Sequence, residues 1–254
     1  MISSYPFVTS TPYELLVAQG AVPGAKTVTV FGLNSDVDTT EVSVWPLPSI
    51  IAVPAAALQM KVSSTSANDT AAGTGARTVI LNGLDSSYAE ITETVTLNGT
   101  TAVTTTNSFL RINSAYVATA GSTASAAGDI YIGTGVVTAG IPATVYNIIK
   151  YNYNTTITGK YTVPAGYTAY MTKGLFTAGQ AVGTTSVTGK LITTGTDGIR
   201  RTAAVTTINN GFVGYDFNYL IPILEKTDVE ATAIGAANNN SVSSMFIFVL
   251  VRNT

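Results

Sequence analysis

The run AEITETVTLNG, residues 89–99, reads as a half-buried β-strand followed by its turn. Ile91, Glu93, Val95 and Leu97 share one face, and Thr92, Thr94 and Thr96 share the other. That is the period of two that a pleated strand imposes. The branched Cβ of Thr suits the pleat, and its hydroxyl keeps the outer face wet without charge. Asn98-Gly99 closes the run, and both residues tolerate positive φ, so the spacing predicts a two-residue hairpin there.

The same pattern recurs along the chain. Strands are expected at Thr78–Leu81, Ala89–Leu97, Thr101–Thr105, Phe109–Val117, Asp129–Ile132, Thr144–Ile149, Thr155–Val163 and Thr168–Phe176. Further strands follow at Ser186–Thr193, Thr202–Thr207, Phe212–Ile221, Asp228–Ile234 and Ser243–Val251. About one position in six is Thr, whereas Glu, Lys, Gln and Arg, the polar helix formers, are scarce. The expected fold class is all-β, an antiparallel, jelly-roll-like β-sandwich with an extended N-terminal arm.

Pro and Gly divide the chain. Residues 1–58 read as an arm with a short β-hairpin (Thr27–Phe31 with Glu41–Trp45) and a connector broken by Pro46, Pro48 and Pro54. Tyr13–Gln19 is expected as a short helix, with Pro12 at its first position and Gly20 as its stop. Residues 59–254 read as the sandwich, divisible into two stacked sub-domains near 140–150. Pro164-Ala165-Gly166 fits a tight turn.

Composition excludes several chemistries. The 254 residues contain no His and no Cys, which removes imidazole and thiolate catalysis, zinc fingers and disulfides. Twelve Lys and Arg stand against fourteen Asp and Glu, a formal net charge of −2, with no footprint for nucleic acid or an anionic membrane. The longest apolar stretches, Ile50–Met60 and Met245–Val251, are too short to span a bilayer as helices. With the first Lys at Lys26, no signal peptide is expected.

The motifs that remain are weak. The Gly-rich runs from Gly73 and Gly133 lack the third Gly of a dinucleotide fingerprint and open no helix, so they read as turns. Asp36, Asp38 and Glu41 offer oxygens without the spacing of a calcium loop. Tyr146, Tyr151, Tyr153, Tyr161, Tyr167 and Tyr170 suit a core, a subunit interface or a sugar-stacking surface. Glu93 falls among apolar neighbours, and a carboxylate persists there only if paired. Arg77 and Arg111 on flanking strands are its expected partners in a structural ion pair. No catalytic residue, cofactor or metal is expected. Candidate interface residues are Tyr5, Phe7, Tyr13, Leu15, Trp45, Phe246 and Phe248, although Phe246 and Phe248 sit on a strand apolar on both faces that also suits a core.

Three phrases together carry a resemblance. They are SANDTAAGTGARTV (residues 66–79) with GLD (83–85), ITETVTLNGTT (91–101) and YTVPAGYTAY (161–170). The series, from about Gln59 to the C-terminus, resembles virion structural proteins of tailed bacteriophages, notably those infecting aquatic bacteria. The resemblance implies a non-enzymatic β-sandwich on the capsid or tail, usually a symmetric oligomer, and transfers no catalytic residue. The expected role is a capsid decoration (cement) protein on the virion exterior, a homotrimer partnered with itself and the major capsid protein. The alternative is a tail-fibre or tail-tip module that binds host surface glycans.

Overall fold

A computed structural model describes residues 13–180 and 186–253. In chain order the elements begin with α1 (Tyr13–Ala18), β1 (Ala25–Val37), β2 (Val42–Ser43), β3 (Leu58–Ser64), β4 (Ala76–Leu84) and β5 (Glu90–Thr96). Next come β6 (Val103–Phe109), β7 (Arg111–Ala120), β8 (Ile130–Thr138), β9 (Ile141–Ile149) and β10 (Lys160–Thr162). The chain continues with β11 (Tyr167–Gln180), β12 (Val187–Thr194), β13 (Arg200–Ile208), β14 (Gly211–Ile223), β15 (Asp228–Gly235) and β16 (Asn240–Arg252). The strands pair antiparallel throughout, so the all-β antiparallel reading holds.

Four sheets surround two main cores. The first sheet runs β1-β16-β11-β14 and the second β10-β15-β12-β13, with β2 added against β15. Numbered alone in chain order, the eight main strands read 1-8-3-6 in one sheet and 2-7-4-5 in the other. That is the two-sheet order of a jelly roll. Its core includes Val30, Val44, Met171, Phe176, Leu191, Ala231, Phe246, Phe248 and Leu250.

The other two sheets, β6-β3-β8-β9 and β5-β4-β7, form a second sandwich from the residues between the jelly roll's first and second main strands. Its core is built on Met60, Val62, Val79, Leu81, Phe109, Ile130, Ile132 and Ile149. A small third cluster seats the Pro-broken connector, with Trp45 and Ile51 against Tyr131 and Ile148.

Several local readings hold in the fold. Tyr13–Ala18 is helical and stops at Gly20, whose φ of 72° is the left-handed conformation that ends helices. Tyr167 N–H reaches Pro164 O at 3.3 Å, with Gly166 at φ 77°, closing the expected Pro-Ala-Gly turn.

Three readings need correction. The β1–β2 hairpin does not form, because β1 pairs with β16 over nearly its whole length while β2 pairs with β15 in the other sheet. The reason is packing. Val30 and Val37 belong in the jelly-roll core, so residues 25–37 leave the arm and become that fold's first strand. Nor is Asn98-Gly99 a hairpin turn, since β5 and β6 lie in different sheets. Gly99 keeps its positive φ of 61°, but its N–H and C=O bond to Asp69 and Ser64, which draws the chain across the sandwich. Trp45, Phe246 and Phe248 are not interface residues: each is at most 3% exposed, filling a core. Tyr5 and Phe7 lie outside the described residues. Tyr13 and Leu15 are exposed on α1.

Candidate functional site

Three acidic and four basic side chains of this sparsely charged chain cluster along the face of β15 that meets the second sandwich. Strand β15 is buried on both faces. Val229, Ala231 and Ala233 enter the jelly-roll core, and Asp228, Glu230 and Thr232 face the other way. Arg111, at the start of β7 in the second sandwich, closes on Asp228 with Nε–Oδ1 at 2.9 Å and Nη2–Oδ2 at 3.0 Å. Two parallel bonds of this kind fix orientation as well as distance. The same guanidinium donates through Nη1 to the carbonyls of Pro54 and Leu110. Beside it, Asn113 of β7 exchanges two 2.9 Å hydrogen bonds with the backbone of Thr162 on β10.

The polar face continues along β15. Ser43 Oγ donates to Glu230 and accepts from Ile51 N–H, tying the connector to the jelly roll. Glu41 accepts from Lys190 at 2.6 Å and from Thr232 at 2.8 Å, and Arg200 stands 3.6 Å from Glu230 and 3.7 Å from Glu41. Burial pushes the Asp228 carboxyl upward. The Arg111 bond, the Lys160 and Arg111 charges and the Thr162 bond outweigh it, so Asp228 stays below the usual carboxylate range. Glu41 is likewise lowered: burial opposes, and Lys190, Thr232 and Arg200 prevail. Lys160 moves down, because burial of its ammonium outweighs the nearby Glu230 and Asp228 carboxylates.

The expected Glu93 ion pair is replaced by another arrangement. Glu93 does lie on the inward face of β5, half-buried, but its oxygens accept the backbone N–H groups of Thr106 and Asn107 on β6 at 2.7 and 2.8 Å. Glu93 sits opposite Leu81, and Arg77 lies four residues along β4, about 13 Å away at strand rise. Arg77 instead donates to Gly73 O, and Arg111 is two strands off and held by Asp228.

A carboxylate that sequence reading missed is better enclosed. Asp69 is fully buried without a basic partner. It accepts Ser64 Oγ at 2.5 Å and the N–H groups of Ala76, Ala127 and Gly128 at 2.6, 2.9 and 3.0 Å. A Cβ at Gly75 would strike its Oδ1, so the Gly73-Thr74-Gly75 run folds around a side chain of its own chain. Among the described residues no acidic cluster is arranged to hold a metal. Asp36, Asp38 and Glu41 part company: Asp38 accepts from Asn239 N–H, while Glu41 joins the seam. The tyrosines also scatter. Tyr161 stacks on Phe248 in the core, and Tyr151 and Tyr153 stand exposed on the turn after β9.

The other distinctive surface is apolar. β13 and β14 are the outer strands of the two jelly-roll sheets, joined by a turn at Asn209-Asn210. Between them the core opens through a small gap lined by Phe176, Leu191, Ala204, Val205, Tyr215 and Phe217. Phe212 at 75% and Val205 at 60% exposure leave large apolar side chains in water along this edge, and Leu224 at 66% follows just past the other end of β14.

No protein-family model matches the chain, and no curated protein matches it. Among solved structures it is similar to the VP2 subviral particle of infectious bursal disease virus, at 10% identity and a TM-score of 0.26. That match covers 86% of this chain, which spans only 58% of the VP2 chain. The Gx strain of the same virus gives 12% identity and a TM-score of 0.25, covering 90% of this chain and 73% of that one. Its T13 viral particle gives 10% and 0.23, with 91% and 72% covered. TM-scores this low define no shared fold, so the architecture rests on the strand order of the chain itself.

Proposed function

We propose that this chain is a non-enzymatic virion structural protein of a tailed bacteriophage. It acts as a decoration or cement protein on the capsid exterior, self-associating as a homotrimer and bridging major capsid subunits. The observation that carries this reading is the open apolar edge of the jelly roll. Val205 is large, exposed and lines a gap into the core, and Phe212 and Leu224 stand exposed at the two ends of β14, the kind of surface a soluble chain covers by association. Burying it in a seam between subunits makes rupture of the seam cost the hydration of that surface. Small Ala and Thr side chains around it lose little entropy on docking.

Two further points support the reading. The sequence phrases at residues 66–79 and 91–101 resemble virion structural proteins, and jelly rolls recur among viral capsid domains. As units of the chain, we propose a jelly roll made of residues 25–43 and 160–252 carrying the sandwich of 58–149 as an insertion. The test is the heat stability of virions with and without the protein. Particles lacking it should release their genomes at lower temperature, and equal release temperatures would refute the cement role.

A further inference from the structure

A cleft of about 280 Å³ lies between the free edge of β1, the start of β7, residues 155–158 and Lys160. Its polar lining includes Thr29, Ser114, Thr155, Thr158 and Lys160, and the ring of Phe31, 52% exposed, stands at one wall. The volume sits just under the ~300 Å³ at which pockets for drug-sized ligands begin, which suits one small ring.

Charge in this region does not balance. Three carboxylates (Glu41, Asp228 and Glu230) face four cations (Arg111, Lys160, Lys190 and Arg200). Arg111, Lys190 and Arg200 each hold an ion pair, whereas Lys160 makes neither an ion pair nor a hydrogen bond among the described residues. Among the described residues only Ser244 Oγ is a fully enclosed, unbonded side-chain polar atom, so the Lys160 ammonium is not sealed off; Lys160 lines both this cleft and the gap beside Arg111 and Thr162. The Thr158 hydroxyl, two residues before Lys160 on a 5% exposed residue, is likewise free for a ligand. A partly desolvated ammonium without an acceptor is costly, and an anion in the cleft removes that cost.

We propose that this cleft is a binding site for a sugar acid, a single pyranose ring bearing a carboxylate. The carboxylate sits on the Lys160 ammonium, ring hydroxyls meet Thr29, Ser114 and Thr158, and the C–H face of the ring lies toward Phe31. The site does not depend on the virion reading, since its parts all belong to one chain.

The probes are glucuronate and galacturonate, titrated calorimetrically into the full chain, with glucose, galactose and acetate as comparators. At least one uronate should bind, with its neutral sugar and acetate at least tenfold weaker. Lys160→Met should cost at least tenfold in affinity without lowering the melting temperature, because it leaves the seam's charges balanced. Ser114→Leu fills the cleft while keeping Lys160, and should cost as much. Affinity should also strengthen as pH falls through the lowered range of Lys160, whose charged neighbours are Glu230 and Asp228 on β15, Arg111 on β7 and Arg200 on β13. No uronate binding at millimolar concentration, equal binding of acetate, or unchanged binding by Lys160→Met and Ser114→Leu would each overturn the assignment.

Discussion

Arg111 at the head of β7 and Asp228 at the head of β15 form a two-bond ion pair across the junction of the two sandwiches, with their side chains 12% and 10% exposed. Removing one member strands the other's charge away from water. Arg111→Met is therefore expected to cost about 3–5 kcal/mol in urea denaturation. Adding Asp228→Asn to that variant should return most of the loss, because the amide oxygen still accepts from Thr162 and no stranded carboxylate remains at that position. A double variant no more stable than the single one would show that the pair is not what joins the sandwiches.

Acid should loosen the same seam. Asp228 and Glu41 are held below their usual range in the folded protein. The stability they contribute is fully present above the unfolded carboxylate range and is lost as pH falls through their folded values. Lys160 acts in a separate window: its folded value is lowered, so stability rises as pH climbs from that value toward the ordinary lysine range. Melting temperature followed against pH should show both limbs, and Lys160→Met should flatten the alkaline one while weakening the acid one, because the Lys160 charge also helps hold Asp228 low.

Asp69 carries the loop architecture of the inserted sandwich. Asp69→Ala leaves three N–H donors and a Ser hydroxyl without their acceptor, at a cost of at least about 3 kcal/mol in chemical denaturation. Asp69→Asn should do little better, since its amide nitrogen would face donors. A loss below about 1 kcal/mol in either variant would contradict the anchoring role.

The apolar edge gives the opposite pattern. Phe212→Ser with Leu224→Ser should change monomer stability by no more than about 0.5 kcal/mol, because both side chains are mostly in water. Sedimentation should nevertheless shift the protein from oligomer to monomer. An unchanged oligomer would place the contact elsewhere on the surface.

Much of the fold was legible from alternation. The period of two placed β5, β15 and β16 correctly, and it set Glu93 on the inward face of its strand. What alternation does not encode is which strand pairs with which. Residues 27–31 and 41–45 read as a hairpin because they are neighbours in sequence, yet the core draws β1 to β16 and β2 to β15. The seam was hidden for a related reason. Asp228, Glu230 and Thr232 alternate with small apolar residues, the pattern of a strand with one wet face, and only the second sandwich covers that face. Asp69 was hidden because its partners are backbone N–H groups, which leave no mark in side-chain identity.

The central claim is that this chain works by covering seams of a virion shell, and its copy number in purified particles tests that most directly. Quantitative mass spectrometry against the major capsid protein should return hundreds of copies per particle, matching the number of sites between capsid subunits. A handful of copies would place the chain on the tail and favour the glycan-binding alternative, for which the exposed Tyr151 and Tyr153 are available. Absence from the particle would contradict the virion account altogether.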